Sequence, residues 1–407
     1  MIQPPWRKIL VRLLMAGQLV VLPVPAFPSR GPVQLNLADT EIPEDSRLDV
    51  GIEVFHPGLD EDDEHALEEK GIYPGVRKSE ARFMPFHLKN ILESTGQWGA
   101  VRVVPPGTVG ADVTVSGEIL ESTGLYLNLK IKVEDSRGRV WWEKKYKQEA
   151  DAAAYGDAPI ENRGPFEDLY SQMANDMLAA RERLDARDLK AIHDVTAIRF
   201  AVNIVPEVFS DYLEVSHNGR YVVRRLPAVD DPMVERLARI RDRDDMFVDT
   251  LNEYYADFYA RMSTPYDNWR QFSWEEQTAL REIRRKARRR KILASLLLFG
   301  GVAANGSGAA AETARQAAVI GGALVLQSGI EKGKEGKIHV AALKELAASF
   351  EAEIEPTRVE VEGKSLRLRG SAETQYAEWR KFLAEIFANE TGQTLDPDTL
   401  RPEGAQN

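Results

Sequence analysis

Between Gly110 and Tyr146 the chain reads GADVTVSGEILESTGLYLNLKIKVEDSRGRVWWEKKY, and no other stretch restricts the fold as strongly. Apolar and polar residues alternate through about 112–121, 125–134 and 139–147, the period of strands with one buried face. Ser122-Thr123-Gly124 and Ser136-Arg137-Gly138 fall between them as turns. Leu48 to Phe55 alternates in the same way, and Trp98 to Val104 is a further strand that Pro105-Pro106 ends. Phe83, Phe86, Leu88, Ile91 and Leu92 recur at helical spacing between a cap at Ser79 and a stop at Gly96. The order strand, helix, strand, strand, strand, strand predicts an α+β domain. A small, mostly antiparallel sheet carries one covering helix, since a single crossover joins one parallel pair. Strict alternation sets Trp141 and Trp142 on opposite faces of the last strand, one in the core and the other exposed to a partner or covered by another part of the protein.

Beyond Pro165 the pattern becomes helical. Phe166, Leu169, Tyr170, Met173, Met177 and Leu178 form one apolar stripe, a helix that closes the first domain. Helices follow over Leu184–Pro206 and Pro232–Met262, and a new one after Trp269, with Ser273 as its cap and Glu276 three residues on. His217-Asn218-Gly219-Arg220 between Tyr212–Val215 and Tyr221–Arg225 signals a hairpin through its Asn-Gly pair. Near the C-terminus, Thr357 to Gly370 alternates on both sides of Glu362-Gly363-Lys364, a second hairpin. Tyr376, Trp379, Phe382, Leu383, Ile386 and Phe387 then mark a last helix.

The segment from Lys291 to Gly336 is of another kind. Residues 292–311 and 316–330 carry no charge, and the basic run Arg284, Arg285, Lys286, Arg288, Arg289, Arg290, Lys291 precedes them. Ala317, Gly321, Val325, Gly329 and Gly333 recur every four residues, a ridge of mostly small side chains on one helix face. Three readings stand: a glycine-zipper-like helical hairpin in or on a membrane, a tightly packed helix pair inside a soluble domain, or an oligomerisation helix. The basic run is then a solvated face, or a patch for anionic headgroups.

The first residues point to export. Arg7, Lys8 and Arg12 precede an apolar run from Leu13 to Leu22, and Val24-Pro25-Ala26 offers small residues for cleavage. The expected organisation is a signal peptide at 1–26, an α/β docking domain at 27–180 and a helical region with a short hairpin at 181–291. The Gly/Ala-rich hairpin at 292–336, a helix, β-hairpin and helix at 337–392, and a tail at 393–407 complete it. A net charge of −11 disfavours general nucleic-acid binding. The chain has no cysteine, which removes disulfides, thiolate chemistry, Cys-ligated metals and a lipid-bearing Cys together.

The quoted elements resemble a known group. A helix ending near "L..TGQWGAVRVV", then "GADVTVSGEI", then "L.LKIKVEDSRGRVWWEKKY" is similar to the amino-terminal α/β domain of the Tol-Pal propeller protein. Its relatives are curli-secretion lipoproteins and lipoprotein activators of penicillin-binding proteins. The residues that carry the resemblance are Gly110, Ala111, Asp112, Gly117, Asp135, Gly138, Val140, Trp142 and Tyr146, within about 48–180. The resemblance implies a non-enzymatic envelope fold and carries over no catalytic residue. The lipoprotein cysteine and the propeller repeats of that group are both missing here. Residues of the form "V.VEGKSLRLRGSAETQYAEWRKFLAEIF" resemble, over a short span, a repeat of the bacterial osmotic-stress and nodulation domain.

A search for chemistry finds little. The run Asp60-Glu61-Asp62-Asp63-Glu64-His65 lacks the spacing of a calcium loop and reads as a solvated acidic loop. Gly329 to Lys334 has one residue too few for a phosphate loop, and Glu335 stands where Ser or Thr belongs. The six histidines show no zinc-protease spacing, and His87, beside Phe86, reads as partly buried rather than as a base. No Gly-x-Ser-x-Gly elbow occurs. The expectation is a non-catalytic periplasmic protein that needs no cofactor and docks other envelope proteins, with membrane contact or self-association through its Gly/Ala hairpin. A soluble accessory of cell-wall synthesis or secretion is the alternative. A hydrolase of cell wall or polysaccharide would need carboxylates converging in one cleft.

Overall fold

The computed structural model describes residues 32–59, 67, 72–156, 163–228, 231–300, 340–341, 344–345, 358–361 and 364–392. The signal segment 1–26, the acidic run 60–65 and the tail 393–407 lie outside the described residues. So do Ala317, Gly321, Val325, Gly329 and Gly333.

Five strands form one sheet: β1 (Val50–Glu53), β2 (Val101–Val104), β3 (Val113–Ser122), β4 (Tyr126–Asp135) and β5 (Val140–Glu149), in the order β2-β1-β3-β4-β5. The meander β3-β4-β5 is antiparallel as expected. The sheet as a whole is mixed rather than mostly antiparallel, because β1 pairs in parallel with both β2 and β3. The sequence argument allowed one parallel pair because it counted only helical crossovers. A four-residue strand rises only about 13 Å, and the connection 105–112 can reach about twice that when extended. It therefore carries the chain back to the start of the sheet without a helix. Gly107 (φ +77°) and Gly110 (φ +145°) take the backbone angles that this reversal needs.

One face of the sheet, with Val50, Ile52, Val113, Val115, Ile119, Leu127, Leu129, Ile131 and Val133, makes a first core. Two helices cover it, α1 (Pro74–Ser94) and α2 (Glu167–Arg181). Helix α1 begins one turn earlier than expected, with Pro74 at its first position. Ser79 lies within it and donates its hydroxyl to Gly75 O at 3.0 Å. Ala81, Met84, Leu88 and Leu92 face the sheet, while Val76, Phe83 and Phe86 enter a second core. The apolar stripe predicted for α2 is buried throughout.

The second core joins α1 and β2 to α3 (Ala186–Ile204), α4 (Pro206–Phe209), α5 (Pro232–Gly300) and α6 (Ala372–Thr391). The 69-residue α5 is about 100 Å long at 1.5 Å per residue. Phe247, Leu251, Tyr255, Phe258, Met262, Tyr266 and Trp269 give it one stripe at three- and four-residue steps. That stripe runs across Pro265 without a break, so the new helix start expected at Ser273 does not exist. The Ser273 hydroxyl instead accepts Gly124 N at 3.0 Å. Glu80 of α1 is fully buried and accepts from Ser122 Oγ of β3 at 2.5 Å and Tyr266 OH of α5 at 2.6 Å.

Two separate hairpins complete the fold, β6 (Leu213–Val215) with β7 (Tyr221–Val223), and β8 (Arg358–Val361) with β9 (Lys364–Arg367). Gly219 has the positive φ that the Asn-Gly turn predicts. Ser371 caps α6 by accepting Thr374 N, and left-handed Gly392 ends it.

The edge strand β2 lies under α5, which would bury backbone groups that no strand satisfies. Asn252 solves this. Its Oδ1 accepts Val103 N at 2.9 Å, and its Nδ2 donates to Val103 O at 3.0 Å and to Val248 O at 2.9 Å. An Asn252→Leu variant leaves two buried main-chain groups unpaired, each costing about 1–3 kcal/mol. Urea unfolding should show a loss of about 2–4 kcal/mol. An Asp249→Asn change one turn away, at an exposed ion pair, should cost well under that.

Candidate functional site

The features that could act lie around the β4–β5 hairpin and the loop 107–111. At the head of the hairpin, Asp135 is almost fully buried and organises the turn. It accepts from Arg137 N at 3.0 Å, Arg139 N at 3.3 Å, the Arg137 guanidinium at 2.9 Å and Trp141 Nε1 at 3.2 Å. Gly138 supplies the positive φ of the turn.

The two tryptophans do not lie on opposite faces. The ladder pairs Val133 with Trp142 and Glu134 with Val140, so Trp141 is the extra residue of a β-bulge. Both rings pack half-buried against the first core. Trp141 meets buried Trp98 with centroids 6.4 Å apart, and Trp142 meets Tyr146 edge-on at 5.5 Å. Tyr146 donates to Asp176 of α2 at 2.7 Å; burial first, then that carboxylate, push its phenol far up. Neither ring forms a free aromatic surface.

What stands open is the main chain of β5. Among the described residues its partner is β4 alone, and the Ala150 N to Leu125 O bond at 2.9 Å sets which residues turn inward. By alternation, Glu143, Lys145, Lys147 and Glu149 point their N–H and C=O groups away from the sheet. Their side chains form exposed pairs, Glu143 with Lys130 at 2.8 Å, Lys147 with Glu121 at 3.4 Å and Glu149 with Arg281 at 2.6 Å. Lys145 makes no ion pair among the described residues.

Two clefts flank the loop 107–111. The larger, about 120 Å³, is lined by Glu53, Thr108, Thr114, Glu134 and Arg199 among others. Burial raises the Glu53 carboxyl above its ordinary range; a bond from Gly107 N opposes this, and Glu134 adds to it. Sequence reasoning missed this carboxylate pair, because the two residues are 81 positions apart and share no motif. Two carboxylates lining one cleft are a prerequisite of acid–base catalysis. The volume, however, is well below the roughly 300–1,000 Å³ of small-molecule sites. The second cleft is about 30 Å³, room for one water. Of its acids, Asp245 pairs with Arg102 at 3.4 Å and Asp244 with Arg380 at 2.8 Å, while Asp49 accepts Ala100 N at 2.8 Å.

Asp112 opens β3 from below this loop. Its carboxylate accepts from Asp49 N at 3.0 Å and Thr196 Oγ1 at 2.7 Å, and meets His193 Nδ1 at 3.1 Å. Burial pushes Asp112 up, but His193, Thr196 and the Asp49 amide together hold it below its ordinary value. The bond to Asp112 raises His193, against partial burial. His87 is half-buried as expected, 2.9 Å from Tyr259 OH and 3.4 Å from Glu167.

The basic run Arg284–Lys291 has its backbone on α5, and Arg285 is exposed. The side chains of Arg284, Lys286, Arg288, Arg289, Arg290 and Lys291 lie outside the described residues. No helix among the described residues is long and apolar enough to cross a membrane. Nor do three or more His, Asp or Glu among them converge to hold a metal ion. Comparison with family models, with curated proteins and with solved structures finds no match to this chain.

The Asp112–His193 contact predicts a pH dependence. A histidine raised in the folded state stabilises fully below its unfolded pKa, about 6.5, and loses that contribution as pH rises through the folded value. Asp112, depressed, stays ionised across that window. The melting temperature of the wild type should exceed that of His193→Gln by more at about pH 5.5 than at about pH 8.5. Scanning fluorimetry of both proteins across that range measures the difference.

Proposed function

We propose that this chain is a non-catalytic docking or assembly component of the bacterial cell envelope, and that its α/β domain takes a strand of a partner protein onto β5. One observation carries the reading. The sheet has two edges, and they are treated in opposite ways: β2 is sealed by the Asn252 amide, whereas the outward main-chain groups of Glu143, Lys145, Lys147 and Glu149 on β5 meet no strand among the described residues. Strand addition uses such an edge, with main-chain bonds for affinity and side-chain contacts for choice. The lysines along β5 fit the same role, since charge on an edge blocks unselective pairing and leaves room for a matched partner.

The export-like N-terminus supports a periplasmic setting, and the resemblance to the Tol-Pal propeller protein's first domain supports an envelope complex. Within this reading the Gly/Ala-rich sequence of 292–336, which from residue 301 on lies outside the described residues, adds membrane contact or self-association. A soluble accessory of cell-wall synthesis or envelope secretion would use β5 in the same manner. A third reading, a cell-wall or polysaccharide hydrolase, rests on the Glu53–Glu134 cleft. Glu53→Gln abolishing wall-degrading activity of the purified protein would establish it.

Lys145→Pro removes an outward N–H at a position where an edge strand tolerates proline. With a photo-crosslinking residue placed at Lys147, the wild-type background should yield a defined envelope protein. Lys145→Pro should abolish that adduct, Lys145→Gln should retain it, and circular dichroism of all three should agree. An adduct undiminished by proline would refute strand addition at β5.

A further inference from the structure

The edge strand β5 carries different patterns on its two faces. Glu143, Lys145, Lys147 and Glu149, whose main-chain groups point outward, all have exposed side chains on the face away from the first core. Within the ladder Lys145 stands opposite Lys130, a like charge, and it makes no ion pair among the described residues. On the other face Trp142, Lys144 and Tyr146 alternate with them, and both aromatic rings pack against the first core. The Lys144 ammonium is turned to Asp176 of α2.

A second copy of the chain can add to this edge antiparallel, about a two-fold axis, with outward groups facing outward groups. The axis then passes through one residue, and that residue decides which side chains meet. On Tyr146 it sets Glu143 against Glu149 and Lys145 against Lys147, like charge on like charge. On Lys145 it sets the unpaired lysine against itself. On Lys147 it does the same to that lysine, and Lys145 meets a Glu149 already held by Arg281 at 2.6 Å. On Gln148 it calls for Asp151 beyond the strand, whose N–H is bonded to Pro165 O at 2.9 Å. On Lys144 it sets Glu143 of each copy against Lys145 of the other, and each pair exchanges both its N–H···O bonds. The same axis sets Trp142 of each copy against Tyr146 of the other, an aromatic pair of the kind that stabilises adjacent strands. Lys144 then meets its own copy, with its charge already held by Asp176. Only on Lys144 do opposite charges and aromatic rings match together.

We propose that the strand taken up by β5 is β5 of a second copy, paired antiparallel about an axis through Lys144 into one continuous sheet. The inference rests on the reading that β5 accepts a strand, and it adds whose strand that is. Charge complementarity selects the occupant: the strand that answers Glu143 and Lys145 in order is this strand reversed. Pairing gives Lys145 the acid it lacks and closes both open edges at once.

The test uses the full chain in sedimentation equilibrium. The wild type should dimerise, and its dissociation constant should rise about tenfold or more in Glu143→Lys and in Lys145→Glu, each of which sets like charges together. A one-to-one mixture of these two variants should dimerise again, as should the double exchange Glu143→Lys/Lys145→Glu; both restorations show that the single variants fold. The chain has no cysteine, so Lys144→Cys supplies a lone thiol. On the axis its Cα atoms would lie about 4.5 Å apart, within disulfide range. Oxidation should join two Lys144→Cys chains, and Lys147→Cys chains should stay apart. A monomeric wild type, a dimer indifferent to both single variants, or a double exchange that does not restore pairing would each overturn the inference. Failure of the underlying reading looks different. A monomeric chain whose Lys147 crosslink captures another protein, and loses it in Lys145→Pro, keeps strand addition and rejects self-pairing. Absence of any proline-sensitive adduct rejects both.

Discussion

Helix α5 can lie on the sheet only because one side chain stands in for a missing strand. The main-chain groups of Val103 face away from β1, and the apolar stripe of α5 would bury them without partners. Asn252 offers an acceptor and a donor in the spacing of a peptide unit and meets both. The same face of the helix carries Asp249 and Asp245 one and two turns earlier, which hold Arg102 of β2. With the edge sealed, α5 can bury Phe83 and Phe86 of α1 and continue to Tyr266 and Glu80. That substitution, with the Arg102 pairs beside it, fixes how the second core sits against the sheet.

Buried carboxylates do comparable work elsewhere, and they explain the residues that suggest an envelope domain. Asp112 ties β3 to the chain entering β1 and to α3, and Asp135 holds the hairpin turn with its bulge. Gly117 has no room for a Cβ, because the Phe55 ring would lie 2.6 Å away. Gly138 needs its positive φ, and Tyr146 anchors β5 to α2. Each residue of that pattern so placed has a structural task. Those tasks account for the residues within this fold, and they carry no catalytic implication.

Local order was legible in the residues, and relations between distant elements were not. Period-two alternation located all five strands of the sheet to within a few residues, and the Asn-Gly turn located β6 and β7. The parallel pairing of β1 with β3 was hidden, because it depends on how far eight irregular residues can reach. The Trp141 bulge was hidden too, since alternation assumes one residue opposite one residue. Ser273 looked like a cap because Ser with Glu three residues on is a local signal; the continuous stripe from Phe258 to Trp269 outweighs it. Glu53, Glu134 and His193 had no signal at all, being single polar residues that only the sheet order and α3 bring together.

The asymmetry between the two edges is also one of energy. Opening β2 would strip buried amide contacts from Val103 and expose the aromatic stripe of α5, which no partner strand replaces. The side chains along β5 hold only exposed ion pairs, each worth about 0–1 kcal/mol. The bond of Arg281 to Glu149 is of this kind, at the point where α5 passes the end of β5. A strand arriving at β5 displaces little and gains main-chain bonds that water now supplies. Meanwhile α2 and the two tryptophans hold the other face of β5 against the first core. Among the described residues that edge has no strand beside it and is held from its other face, an arrangement in which strand addition would cost little conformational freedom.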